Sequence, residues 1–260
     1  MQRELITLKR QKLYKLERYT HFARKVTLNN KRRAYVFKAD IKQYFENVDH
    51  KILLFLIEKR VKDKKIMWLI QKIIGNYQQQ REGKGMPLGN LTSQFFANIY
   101  LNELDQFVKH KLKVKYYICY VDDFIILHDT KRVLEGYQKE IVDFIQKYLK
   151  VELHPIKSKI TPVQKGIDFL GLRIFPYHKL LKKKNLRKFQ RKIKEYYVQY
   201  DKEEIKCDEI YDFIEGWLAY ASHANTYTLR KKITDVYEKQ YQEVSTKEVN
   251  RLLKYSSFEI

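Results

Sequence analysis

The run Tyr120-Val121-Asp122-Asp123 constrains this chain most, because it sets two adjacent acids between apolar, β-prone segments, Tyr116 to Tyr120 and Phe124 to Leu127. Adjacent residues of a strand point to opposite faces, so an acid pair inside one would drive a charge into the core. At the tip of a tight β-hairpin both acids can face solvent or a metal. Asp40 ends a second β-prone run, Ala34 to Ala39. Three carboxylates gathered from two parts of the chain repel one another unless a cation neutralises them. Hard oxygen ligands of this kind suit Mg²⁺, and two such ions about 4 Å apart serve phosphoryl transfer. The competing account is a turn that carries surface acids.

The chain has 260 residues, 44% hydrophobic and 32% charged. That is enough for a real core and near the size at which one core divides into two. No apolar run reaches the roughly 18 residues of a membrane span. The first thirty residues lack the apolar stretch of a secretory leader, so no membrane partner and a cytoplasmic location are expected. Cys119 and Cys207 are too few and too isolated for a metal motif, and Cys119, within an apolar run, reads as a buried thiol of a reducing compartment. A formal charge of +22 predicts affinity for a polyanion, most naturally nucleic acid, with strong salt dependence. RNA scaffolding without catalysis would suit the same charge.

Along the chain, Arg3 to Arg33 is basic, with Leu5, Leu8, Leu13, Leu16 and Phe22 at roughly helical spacing and a turn at Asn29-Asn30. Tyr35 to Ala39 reads as a strand. Asn47 and Asp49 offer cap chemistry before a helix over His50 to Lys59, and a second helix covers Asp63 to Ile74. Gly75, Gly83, Gly85 and Pro87 mark a bending loop before a long helix, Leu91 to Phe107. The acidic hairpin follows, then an amphipathic helix over Thr130 to Tyr148 and β-prone segments at Val151 to Leu153 and Ile167 to Leu170, with a turn at Gly171. Helices alternating with short strands indicate an α/β layer, a small sheet with helices against one face. Beyond Leu180 the β signals vanish and helices are expected over Lys182 to Tyr200, Asp208 to Ala221 and Tyr227 to Tyr241, so a domain boundary is placed near residues 176 to 182.

Other residues could carry chemistry. Phe45, five residues after Asp40, can sit under the sugar of a bound nucleotide and exclude a 2′-hydroxyl, or it can be core. Residues 83 to 98 read GKGMPLGNLTSQFFAN. Glycines and Pro87 before a helix suit close approach of backbone to a flat or phosphorylated ligand, although neither GxGxxG nor a Walker loop is present. Lys157 and Lys159, after His154-Pro155, could reach a triphosphate or protonate leaving pyrophosphate. The basic stretches Lys182 to Lys194 and Arg230 to Lys232 could grip a duplex through its phosphates, while Trp217 reads as core.

Taken in order, VFKADIKQYF, GKGMPLGNLTSQFFAN, YVDD, LHPIKSKI and GIDFLG resemble the motifs of a reverse transcriptase over roughly residues 33 to 240. Within that superfamily the chain looks most like the enzymes of diversity-generating retroelements, with retron, group II intron and phage-defence (antiviral) enzymes as competitors. The resemblance implies a right-hand polymerase with a residual fingers segment (1–34), a palm with embedded fingers elements (35–178) and a helical thumb (179–260). It assigns Asp40, Asp122 and Asp123, with the backbone of Ile41, to two Mg²⁺ ions, or Mn²⁺ in their place. Phe45 becomes the sugar gate. Pro87, Leu88, Gly89, Gln94 and Asn98 lie against the template–nucleotide pair, Lys157 assists at the triphosphate, and Phe169, Leu170 and Gly171 support the primer end.

The same resemblance implies template RNA, a DNA or RNA primer, cDNA and dNTPs as partners, with an oligomeric basic accessory protein in the diversity-generating group. Most of the superfamily has Gln before the glycine where this chain has Leu88. Loss of that hydrogen-bonding side chain weakens discrimination between bases, so low fidelity is expected. Only 39 residues precede Asp40, so a shortened or split fingers region is expected, and with it the alternative of a catalytically incomplete RNA-binding subunit.

Overall fold

The computed structural model describes residues 2–76, 82–86 and 91–240. They form two compact units that divide between Lys165 and Gly166.

The first unit is built on a four-stranded antiparallel sheet. Its strands are β1 (Tyr35–Asp40), β2 (Tyr117–Tyr120), β3 (Asp123–His128) and β4 (Lys159–Pro162), in the order β2-β3-β1-β4. Its helices are α1 (Gln2–Val26), α2 (Tyr44–Asn47), α3 (His50–Glu58), α4 (Lys64–Gly75), α5 (Leu91–Gln106) and α6 (Lys131–Phe144). Strand alternation sends Phe37, Ala39, Phe124 and Ile126 into one core, where they join Leu104 of α5 and Leu134 and Ile141 of α6. Truncating such a side chain costs about 2–5 kcal/mol.

The sequence predicts helices on one face of this sheet, and the structure corrects that to both. α1 packs against β2 and β3. Its buried residues Leu16, Tyr19, Ala23 and Val26 recur at helical spacing, and Val36, Ile125 and Leu127 are buried by alternation on the sheet's second face. The surrounding Lys and Arg obscure that stripe in the sequence.

The caps follow from local chemistry. Asp49 caps α3 by accepting from the Ile52 amide at 3.1 Å, and Asp63 caps α4 by accepting from the amides of Lys65 and Ile66. Asn47 instead closes α2, donating to the carbonyls of Lys42 and Gln43. Val151 to Leu153 forms no strand and makes only a bridge from Leu153 to Ile41. Beside β3, the second partner of β1 is β4, a polar edge strand ending in Pro162, of a kind that apolar patterning does not reveal.

The second unit opens with β5 (Ile167–Phe169), β6 (Leu172–Ile174) and β7 (Lys179–Leu181), an antiparallel sheet of its own. α7 (Lys183–Asp201), α8 (Cys207–Ala221) and α9 (Tyr227–Gln240) follow. The division of the chain falls before β5 because these strands pair with one another and not with the first sheet, whereas the change in composition falls at 176–182. Ile210, Ile214, Leu218 and Tyr237 form the core of this unit. Trp217 stacks on Phe189 with ring centroids 3.9 Å apart, a packing role. Among the described residues, no helix is long and apolar enough to cross a membrane.

Candidate active site

The hairpin of β2 and β3 turns through Val121 and Asp122, with Tyr120 paired to Asp123. Val121 has φ 54°, a left-handed backbone that a β-branched residue adopts only under strain. The tight turn places Asp122 at its tip and Asp123 at the start of β3. Cys119 donates to the Val121 carbonyl, and burial pushes its thiol up to about 12, so it stays protonated and holds the turn.

Asp40, the last residue of β1, pairs in register with Asp123. Cα atoms so paired lie about 4.5–5.5 Å apart, which makes the two acids direct neighbours. The Ile41 amide donates to the Asp122 carbonyl at 3.2 Å, tying the chain after β1 to the turn. Asp40 is almost fully buried, at 7% exposure. Its backbone is held by His154, whose amide donates to the Asp40 carbonyl at 2.7 Å, and by the Ser158 hydroxyl.

Two lysines answer the negative charge. Lys157 donates to Asp40 Oδ2 at 2.6 Å, and that hydrogen bond raises the lysine's own pKa. Lys38 Nζ lies 2.8 Å from Asp123 Oδ1. That oxygen is buried and, the ion pair apart, accepts no hydrogen bond. Asp122 is pushed up from the usual carboxylate range, first by burial and then by the charges of Asp40 and Asp123, with Lys157 opposing.

This donor set fits a hard divalent cation: the side-chain oxygens are all carboxylate, one is buried and unsatisfied, and the carboxylates crowd one another. Among the described residues, no three metal-binding side chains converge on a single point. The lysines instead neutralise Asp40 and Asp123 one at a time.

Phe45 lies in α2, partly buried against the main core and edge-on to Tyr44 at 5.3 Å. Its carbonyl accepts from the Met86 amide at 2.7 Å, which joins α2 to the strand-like entry of the glycine-rich block. Tyr44 donates to the Ala97 carbonyl at 2.7 Å, joining α2 to α5 as well. Gln94 and Asn98 are exposed one helical turn apart on α5, beside the exposed Phe95. Pro87, Leu88 and Gly89 lie outside the described residues.

In the second unit, Leu170 (φ 48°) and Gly171 (φ 90°) make the tight turn between β5 and β6, with Phe169 buried. The Gly171 carbonyl accepts from Tyr220 at 2.8 Å, and Asn185 donates to the same tyrosine oxygen at 2.8 Å. The hairpin is thereby fixed to α7 and α8.

Sequence reasoning missed Lys38, Ser158 and the His154 amide as members of the site. Lys38 had a signal: two residues before Asp40 on a strand, it shares that acid's face. The other two flank Lys157 in the LHPIKSKI block, but their contacts with the Asp40 backbone are not encoded there.

Residues 4–174 match the family model described as "Reverse transcriptase (RNA-dependent DNA polymerase)". Protein YkfC of Escherichia coli (strain K12) is 28% identical over 190 residues, covering 58% of this chain and 48% of that protein. The group II intron-encoded protein LtrA of Lactococcus lactis subsp. cremoris is 28% identical over 204 residues, covering 53% and 34%. The chain thus spans less than half the length of either relative. Its fold is similar to that of apo telomerase from Candida tropicalis, with TM-score 0.54 and 16% identity over 93% of this chain and 49% of that one. The telomerase from the same organism in complex with a telomeric RNA fragment gives TM-score 0.52 at 17% identity, over 94% and 43%. With the family model matching well over half its length, this chain belongs to the reverse transcriptase (RNA-dependent DNA polymerase) family.

Proposed function

We propose that the chain is an RNA-directed DNA polymerase, extending a primer with dNTPs on an RNA template. The observation that carries this reading is the register pairing of Asp40 with Asp123 beside the Asp122 turn, with Lys157 on Asp40. The primer 3′-hydroxyl gives up its proton to solvent and attacks the α-phosphate of the dNTP; a new P–O bond forms as the bond from the α-phosphorus to the bridging oxygen breaks, and pyrophosphate leaves with that electron pair. Mg²⁺ or Mn²⁺, when held by Asp40, Asp122, Asp123 and the Ile41 carbonyl, supplies Lewis-acid stabilisation of the phosphoryl charge.

The chain's own groups do the rest. Lys157 is hydrogen-bonded at the acidic centre and can turn toward the triphosphate, offering a positive charge and a proton to the leaving pyrophosphate. Lys38 limits repulsion at Asp123. Phe45, held between Tyr44 and the Met86 amide, supports a rigid wall against a 2′-hydroxyl. The likeness to a group II intron-encoded protein favours a structured RNA as template. The test is primer extension on RNA with Mg²⁺ and dNTPs, comparing the chain with Asp122→Ala and Asp123→Ala. Extension by the parent alone supports the reading, equal extension by all three excludes the centre, and none by any favours an RNA-binding subunit.

The finer reading is low-fidelity synthesis of the diversity-generating kind, served by a basic accessory protein. It rests on Leu88 standing where most of the superfamily has glutamine. Leu88→Gln should lower misincorporation, and an unchanged error rate would count against it.

A further inference from the structure

The strands that carry the acids at one end carry a basic, concave surface at the other. Asp40 pairs with Asp123, while Tyr35, five residues earlier, pairs with His128. At about 3.3 Å per residue the two ends lie roughly 17 Å apart. Beside Tyr35 is a cavity of about 440 Å³ lined by Lys31, Arg32, Arg33 and Lys165. Beside His128 is another of about 330 Å³, lined by Lys113, Lys115 and again Arg32. Six Lys or Arg side chains line the pair of cavities against a single carboxylate, Asp129.

That carboxylate is already engaged. Asp129 pairs with Arg32 at 2.9 Å, and Arg32 Nε also donates to the Val26 carbonyl at 2.9 Å. The shared wall is therefore rigid, and the loop before β1 is braced by the Arg32 amide on the Thr27 carbonyl. Lys31, Arg33, Lys113 and Lys115 are exposed around it. On α6, by contrast, Lys131 has its own acid, Glu135, one turn away. A fixed, concave cluster of six cations with a single acid repels itself unless a polyanion covers it. Six cations from three loops exceed what one small anion needs and match a chain of phosphates.

We propose that this end of the sheet is a docking face for the phosphodiester backbone of a folded nucleic acid, separate from the site of synthesis. It goes beyond the polymerase reading, because the face holds nucleic acid whether or not the catalytic centre turns over. The experiment uses the full chain and the variant Lys31→Glu/Arg33→Glu/Lys115→Glu. The probes are a labelled blunt RNA hairpin, a DNA hairpin of the same sequence, and a short primer–template for extension.

The variant should bind the RNA hairpin roughly tenfold or more weakly near 0.1 M salt, with a log–log salt slope shallower by about 2 to 3. Extension on the short primer–template should stay within about twofold, as expected for a remote face. A larger loss on RNA than on DNA assigns the face to RNA, and equal loss assigns it to either backbone; both support docking. Unchanged hairpin affinity and slope overturn the proposal, as does loss of extension in step with hairpin binding. Circular dichroism checks folding. If the reversal misfolds, the Lys31→Gln/Arg33→Gln/Lys115→Gln variant must show a smaller loss in the same direction. If the parent does not extend primers, the polymerase reading fails and the hairpin arms still decide this one.

Discussion

Lys38 Nζ stands 2.8 Å from Asp123 Oδ1, reaching diagonally from β1 to β3 beside the acid that ends its own strand. A partly buried lysine here compensates Asp123, as Lys157 compensates Asp40. Lys38→Met should destabilise the metal-free chain by about 1–3 kcal/mol, because it leaves Asp123 unpaired. Added Mg²⁺ should restore part of that loss. Urea unfolding with and without Mg²⁺ measures both, and a loss that Mg²⁺ does not touch would argue that Lys38 serves packing alone.

Lys157 differs in that its side chain is more than half exposed, although it bonds Asp40. An exposed pair contributes about 0–1 kcal/mol, so Lys157→Ala should leave the melting temperature nearly unchanged. Primer extension should slow by about 10²-fold or more if its ammonium serves the leaving pyrophosphate. Equal rates for parent and variant would remove it from the chemistry.

Phe45 is packed on the core and edge-on to Tyr44, so its ring cannot readily swing aside. Phe45→Val should raise the ratio of ribonucleotide to deoxynucleotide incorporation by roughly tenfold or more, since a steric wall is removed. Competition assays on one template measure the ratio. A stability loss with the ratio unchanged would return Phe45 to a core role.

Asp49 links the cap of α3 to Lys150, at 3.3 Å. Burial raises its pKa, but the Ile52 amide and Lys150 outweigh that and hold the carboxyl below its usual 3.8. A depressed acid stabilises the fold above its unfolded pKa and stops doing so as pH falls through the folded value. Asp49→Asn should therefore cost about 1 kcal/mol at pH 7. The cost should shrink as the pH drops through 3.8 and below. Urea midpoints across that range check the sign, and a cost that does not change with pH would exclude the charge as its source.

What the sequence determined is what local pattern encodes. An acid doublet between β-prone runs can scarcely sit anywhere but a hairpin tip, and β2 and β3 take that form with Tyr120 opposite Asp123. The main helices were legible from apolar spacing and, for α3, from its cap Asp49, because both signals lie within a few residues. Tertiary structure alone decided which strand adjoins which. That choice set Asp40 against Asp123, gave β1 a second partner in β4, and covered the second face of the sheet with α1. It also brought His154 and Ser158 to the Asp40 backbone across more than a hundred residues of chain. Register and long-range pairing depend on the summed burial of both sheet faces, a quantity no single window of sequence contains.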